Sequence, residues 1–514
     1  MTTAIVTIRD YGLPKGRNQQ LENAFNLIDE AWIPVADVGR VSLRHVFTHP
    51  EYRALGGSPV QKIALLKLLQ ALAQAAATPD DTTAWKALGW QGMAARVCDY
   101  LDEWHDHFYL YGVNPFLQMP AIARAAIKPF GAVLPDVATG NTTVLTQSQS
   151  EKVMDDADKA LLLLVQMSFA LGGKKTDNSV VLSDGYRGKT KDNGKGMTGK
   201  PGPGVAFKGL LHTFCSGTSL QKTIWLNLFT HEEIADLKSY PNGLGTAPWQ
   251  QMPQGEDCTT AKNLKNALMG RLIPLSRFCL LTEQGLHYSE GLAHANYKEG
   301  VTDPSVAVDH SGKEAKVRWA DPERRPWREL TGLLSFMGRE ASRFDCIQLR
   351  LAMKKAQSLE EEIAVWSGGL RVSSNAGEQY VTGLDDAVES LCWLQPNIWG
   401  EIWFARFKEE MGELDRLAKT LYGCVMSYYK TLLVDGANSA AQATHLFWQL
   451  CERQAQALLN NCDDLAICHQ LRRQFADHAM QIFNQACPHQ TARQLDAWAK
   501  AKPNFALYLQ QEKV

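Results

Sequence analysis

The sequence predicts an α+β protein, in which a mixed amino-terminal body gives way to a carboxy-terminal helical bundle. Three observations carry this. Up to about residue 370, short apolar segments alternate with Gly- and Pro-rich breaks, the punctuation of strands and turns. After Gly436 no glycine occurs, while apolar residues recur at helical spacing, as in Leu446, Trp448, Leu450 and Leu458 with Leu459. The chain has 514 residues, more than one ordinary domain holds, and 45% of them are hydrophobic, enough to fill two or three cores.

The elements follow in order. Phe25 to Val35 reads as a short apolar strand entering a Pro-containing turn. Pro59 to Ala77 is an apolar helix with Ser58 as N-cap and Pro59 at its first position, ending before Pro79. Ala94 to Tyr109 gives a second helix, closed by a turn at Gly112 to Pro115, and Ala121 to Gln149 reads as a long loop. Asp156 to Leu171 is helical and apolar nearly all round, hence buried, and it delivers the chain to Gly172 and Gly173. Short apolar segments follow at Val205 to Phe214 and Lys222 to Leu228, then a Pro/Gly/Gln-rich loop at Lys238 to Gly255. Arg271 to Leu281 and Gly285 to Tyr288 form a hairpin, and Ser305 to Trp319 alternates like a strand pair around His310-Ser311-Gly312. Asp385 to Leu432 and the remainder read as helices, with Pro488 and Pro503 at late boundaries.

The most informative segment is Gly172 to Lys208. It holds eight cations (Lys174, Lys175, Arg187, Lys189, Lys191, Lys195, Lys200 and Lys208) against three acids, Asp177, Asp184 and Asp192, with glycines throughout. The whole chain has a net charge of only -2 and a pI near 6.7, so nucleic acid would be touched by patches while other subunits supply the wider positive field. Lysine supplies point charge suited to a phosphate backbone, and glycine permits close approach. A solvated, structureless insertion is the alternative reading.

Catalytic chemistry is not indicated. The eleven cysteines are scattered without a CxxC pair, which fits free thiols in a reducing, cytoplasmic setting. No signal peptide or apolar run of transmembrane length is visible, so no membrane partner is expected. Gly194 to Lys200 resembles a phosphate loop but is followed by Pro201 where Ser or Thr is needed, and the string ending Gly188-Lys189-Thr190 begins with Ser183. Asp102, His105, Asp106 and His107 suggest a metal-dependent nuclease or phosphohydrolase as the alternative function, although a helix end is the plainer reading and no second ligand cluster is visible. His445 reads as a helix-packing histidine. No cofactor and no metal is expected.

Several strings resemble the large subunit of the type I-E CRISPR surveillance complex, Cascade. They are Leu27-Ile28-Asp29-Glu30-Ala31-Trp32-Ile33-Pro34-Val35; Phe108-Tyr109-Leu110 with Asn114-Pro115-Phe116-Leu117-Gln118; Phe207-Lys208-Gly209 with the run to Leu226-Asn227-Leu228-Phe229-Thr230; Gly368-Gly369-Leu370-Arg371; and His445-Leu446-Phe447-Trp448. None is a catalytic signature, but their order spans nearly the whole chain. The resemblance implies a mixed amino-terminal domain over 1–375 and a carboxy-terminal four-helix bundle over 376–514.

It also implies a role in antiviral defence. Guide RNA reads the target by pairing, and the large subunit reads the adjacent motif in double-stranded target DNA from the minor groove and helps open the duplex. Three elements are implied. A glycine loop after a buried helix fits Gly172 and Gly173, with Lys174 and Lys175 free to hold phosphates. A hairpin lysine fits Lys313, with Lys316 as the other choice. A wedge after the Gly-Gly-Leu-Arg string fits Ser373, Ser374 and Asn375, although the family places Asn and Gln there and no Gln occurs before Gln379. A loop for the guide RNA handle falls in Gly140 to Glu151, with Asn141, Thr142, Thr143, Gln147 and Gln149. The extra cations Lys189, Lys191 and Lys195 are expected to grip the phosphates of duplex flanking the target or of the displaced strand. Implied partners are the Cascade backbone and small helical subunits and a helicase-nuclease recruited in trans. A purely structural scaffold is a third reading.

Overall fold

A computed structural model describes residues 25–135, 153–295, 298, 303–338, 344–359, 361–375, 377–383, 386–396 and 400–509. Its organising element is the helix Pro59–Ala77. Ser58 accepts from the Gln61 amide while the Gln61 side chain returns to the Ser58 amide, a reciprocal cap with Pro59 at the first position. The helix is buried on almost every side, so its polar residues need internal partners. Gln70 donates to the Asn227 carbonyl (2.7 Å), Gln74 exchanges bonds with the Phe229 backbone, and Lys67 is ion-paired to Asp303. The helix Thr82–Glu103 packs beside it, bent at Gly89, with Trp85 stacked on Trp225 at 4.1 Å. Each indole also donates to the other residue's carbonyl.

Two three-stranded antiparallel sheets flank this core. One orders Ala387–Leu394, Ile363–Leu370 and His212–Ser216; the other orders Ile127–Pro129, Gly285–Glu290 and Arg277–Leu281. A small sheet pairs Val308–Asp309 with both Lys316–Val317 and Phe344–Asp345, so the expected turn at His310 to Gly312 is a hairpin tip. Ser373–Asn375 and Glu378–Tyr380 make a further short hairpin.

Several expectations shift. Only Ile33–Val35 of the Phe25 to Val35 segment is strand. The second helix begins at Thr82 and ends at Glu103, and the buried helix after Asp155 stops at Gln166. The stretch expected to be helical from Asp385 instead begins with the strand Ala387–Leu394. Its buried Val388, Cys392 and Leu394 follow a period of two, and every one of its residues has a partner on Ile363–Leu370. Continuous helix therefore starts at Glu401, and a boundary at 375/376 would cut the short hairpin and strip a strand from the sheet.

From there the chain is helical: Glu401–Thr431, Ala437–Glu452, Ala455–Asn461, Leu465–Ala486, Ala492–Ala501 and Ala506–Leu509. The Glu401 helix packs on those at Ala437, Leu465 and Ala492. Arg472 makes a two-pronged pair with Glu410 across two of them. The helical part is seated on the rest by the Arg328 guanidinium, 3.6 Å from the Trp448 ring, and by Gln456, which bonds both backbone groups of Trp393. No helix among the described residues is long and apolar enough to cross a membrane.

Candidate nucleic-acid interface

The segment expected to be an open basic loop is folded, and it forms the hub of the candidate site. Gly172 donates its amide hydrogen to the Gln379 side-chain oxygen (2.8 Å), and the Gln379 amide donates back to the Gly172 carbonyl (3.1 Å). The Gln379 side-chain nitrogen donates to the carbonyls of Ala206 (2.8 Å) and Phe207 (3.1 Å). One buried glutamine thus joins the glycine segment, the turn at 205–208 and the short hairpin 373–380. Gly173 exchanges two bonds with Gly199, and the amides of Gly202 and Gly204 donate to Ala170 and Ser168. The Val372 amide donates to Lys208, the Ala320 amide to Gly209, and the Leu211 amide to Arg318. The hairpin 308–317 is therefore rooted on the same strip of chain. Gly209 adopts φ +92° against Leu370, where a Cβ would strike backbone.

Arg371 explains why its string is needed. Its guanidinium holds Asp386 (2.6 and 2.7 Å), whose carboxylate also accepts from the Thr382 amide and hydroxyl and from the Gly383 amide. Burial opposes ionisation of Asp386, but these donors win and its pKa lies below the usual carboxylate value. The chain leaving and re-entering the hairpin 373–380 is locked at its root.

The sequence-predicted residues fall into three groups. Exposed ones are Lys174, Lys191, Lys195, Lys313, Lys316, Ser374 and Asn375, with Ser373 half-buried. Lys313 lies in the hairpin tip, Lys316 pairs in register with Asp309, and Asn375 lies opposite Glu378 at the end of its hairpin. Lys174 is 4.0 Å from Glu378 with both side chains well exposed, a weak pair. Lys191 and Lys195 close a tight turn, the Lys191 amide donating to the Lys195 carbonyl at 2.7 Å.

The second group is corrected by the structure. Lys189 is fully buried: its amine is paired with Glu256 (2.6 Å) and donates to Ser289 and the Val180 carbonyl, so it staples the insertion shut and cannot reach a phosphate. Burial lowers its pKa against the pull of Glu256. Lys175 also turns inward; its buried amine has no hydrogen-bond partner, and desolvation depresses its pKa. Gly172 and Gly173 are buried too, packed against Pro201 and Glu378, so in this conformation they position Lys174 rather than present bare backbone. The third group, Asn141, Thr142, Thr143, Gln147 and Gln149, lies outside the described residues.

Sequence reasoning missed Gln379, set aside as too late in the chain, and the anchoring duty of Arg371. It also missed the exposed Phe207. The only signal was that the Phe207-Lys208-Gly209 string stood out without an assigned job.

The metal cluster does not assemble. Asp102 bonds Arg44 (2.8 Å), His105 bonds Asp29 (2.7 Å) and lies 3.5 Å from Asp106, and Arg44 also reaches Asp29, a surface ion-pair chain in which Asp102 is taken up by Arg44 instead of converging with His105. The hydrogen bond that its ring donates to the Asp29 carboxylate raises the His105 pKa. Among the described residues no three His, Cys, Asp or Glu side chains are grouped to hold a metal. His445 is not a packing residue either; it is exposed and bonded to Gln449.

A family model described as CRISPR-associated protein Cse1 matches residues 26–493. A CRISPR-associated protein CasA/Cse1 of Thermus thermophilus is 28% identical over 342 residues, a match covering 61% of this chain and 61% of that relative's length. Among solved structures, CasA of Thermus thermophilus superposes with a TM-score of 0.72 at 21% identity, over 95% of this chain and 99% of that one. Thermobifida fusca Cse1 gives 0.67 at 18% identity over 94% and 98%. A chain of a CRISPR RNA-guided surveillance complex gives 0.67 at 13% identity over 93% and 99%. At these identities the superpositions establish a shared fold.

Proposed function

The chain belongs to the CRISPR-associated protein Cse1 family, and on that premise we propose that it is the non-catalytic large subunit of an RNA-guided DNA surveillance complex, reading the motif beside the target from the minor groove and starting duplex opening. The observation that carries this is the common root of three elements far apart in sequence. The segment 172–175 and the hairpin 373–380 are hydrogen-bonded to the strip 199–212 or its Gln379 clamp, and the hairpin 308–317 is tied to the same strip through Arg318 and Ala320, which follow it directly. Their outward residues are those duplex recognition needs. Lys174 suits phosphates, as do Lys191 and Lys195 further along the same basic insertion, Lys313 and Lys316 suit the acceptor-lined minor groove, and Ser374 and Asn375 stand where a wedge would enter the stack.

In this reading the amino-terminal part carries DNA and guide RNA contacts, the loop containing Asn141, Thr142, Thr143, Gln147 and Gln149 meets the RNA handle, and the four long helices form a bundle that packs on small subunits. A helicase-nuclease acts in trans, and the protein itself works in the cytoplasm. Groove choice is testable by base-analogue substitution in the motif. Inosine for guanine removes only the minor-groove amine, whereas 7-deazaguanine removes only the major-groove N7. Affinity of the guide-loaded complex should respond to the first and ignore the second. The reverse response would place the reader in the major groove and end this reading.

A further inference from the structure

Phe207 is 61% exposed, an unusual position for a large apolar ring, and its backbone is held unusually firmly. Gln379 donates to the carbonyls of both Ala206 and Phe207, Ala206 sits at φ +50°, and two residues after Phe207, Gly209 is wedged under Leu370. A non-glycine residue at positive φ is strained and persists only where its surroundings over-determine it. Folding therefore keeps this ring in solvent. Exposed Lys208 follows it directly, and the Lys208 carbonyl accepts from Val372, at the root of the hairpin 373–380 whose tip carries Asn375.

A fixed aromatic face beside a cation, next to an element that would part base pairs, matches what an unpaired nucleobase requires. Bases stack on aromatic rings irrespective of sequence, and lysine takes the adjoining phosphate. A protein partner would be favoured by a wider apolar patch. Instead the other exposed residues of the strip 199–212 are Lys200 and Lys208, and among the described residues neither ammonium is ion-paired, the one carboxylate at Lys200, that of Glu290, being held by the Lys200 backbone amide. We propose that Phe207 is a stacking platform for the first unpaired base of the opened target duplex, with Lys208 holding the phosphate beside it. This deepens, and rests on, the reading of the site as a duplex opener.

The test uses the full guide-loaded complex with Phe207→Ala, Phe207→Leu and Phe207→Trp, on matched duplexes carrying 2-aminopurine at the positions next to the motif. The expected result is that wild type and Phe207→Trp give the fluorescence of a stacked, extruded base. Phe207→Ala and Phe207→Leu should both lose that signal and bind opened target about tenfold more weakly. Motif preference, measured separately, should be intact in all four proteins. Leucine working as well as phenylalanine, or alanine behaving as wild type, would overturn the platform. So would loss of the variant subunit from the complex before DNA is added, which would make the ring a protein contact. Absence of motif dependence in wild type would instead mark failure of the underlying function.

Discussion

Gly172 and Gln379 lie 207 positions apart in sequence, yet they exchange two hydrogen bonds, and the same glutamine side chain spans to Ala206 and Phe207. The glycine segment and the short hairpin therefore move as one piece.

Replacing that clamp separates fold from recognition. Gln379→Ala leaves the Gly172 amide and two carbonyls without partners, a cost on the order of 2 kcal/mol. Motif-dependent binding to closed duplex should fall well before binding to a target opened in advance. Equal losses on both substrates in a titration would show that Gln379 does not link the elements.

The basic insertion should split by burial. Lys189→Met removes one member of a buried pair and leaves the Glu256 carboxylate with only the Leu182 and Ser183 amides and no cation, so thermal unfolding should show a loss of about 3–5 kcal/mol. The salt dependence of DNA binding should stay as it was. Lys191→Ala with Lys195→Ala should do the reverse, leaving stability within about 0.5 kcal/mol and lowering the salt slope by about 1.8 if both hold phosphates. A changed slope in the first variant would contradict its structural assignment.

Substituting the exposed hairpin tip should touch function alone. Lys313→Ala is expected to weaken duplex binding with unchanged melting, and Lys316→Ala to do so less, since its strand position beside Asp309 fixes its reach. Indistinguishable binding by both variants and wild type would remove this hairpin from the interface.

Acid should loosen the hub. Burial, with a smaller push from Lys67, depresses the His212 pKa from 6.5 to about 4, and its ring faces Ser305 and the Gly204 carbonyl. The unfolded chain binds this proton at higher pH than the folded one. The neutral ring's contribution is therefore complete above about pH 6.5 and is lost as pH falls toward 4. Denaturant titrations across that window should show falling stability, on the order of 3 kcal/mol from this group. His212→Gln should flatten that slope, and an unchanged slope would assign it elsewhere.

The ion-pair chain at Asp102 should prove dispensable for chemistry. Asp102→Asn and His105→Gln are expected to leave target binding intact, and nucleic acid incubated with wild type and Mg²⁺ or Mn²⁺ should stay whole. Metal-dependent cleavage abolished by either substitution would revive a nuclease.

Local signals were legible in the sequence where local chemistry decides structure. The capped helix at Pro59, the hairpin around Gly285 and the turn at His310 to Gly312 each carry their own cap or turn residues. The strand at Ala387 was not legible, because its period of two is interrupted by exposed Leu391 and its partners lie on other segments. For the same reason composition placed Lys189 among solvated cations. Glu256, which pulls it inside, is 67 residues away. Gln379 was passed over because nothing near it in sequence shows that its partners are Gly172, Ala206 and Phe207. The tips of the candidate site were visible in the sequence, and the joint that unites them was not.

Motif reading by this chain is decided by enrichment of matched duplexes randomised beside the target, using the guide-loaded complex with and without this subunit. Particular motifs should be enriched only when the subunit is present, and Gln379→Ala should lose that preference. The same motifs enriched without the subunit would contradict that reading and leave the chain a scaffold or recruitment factor.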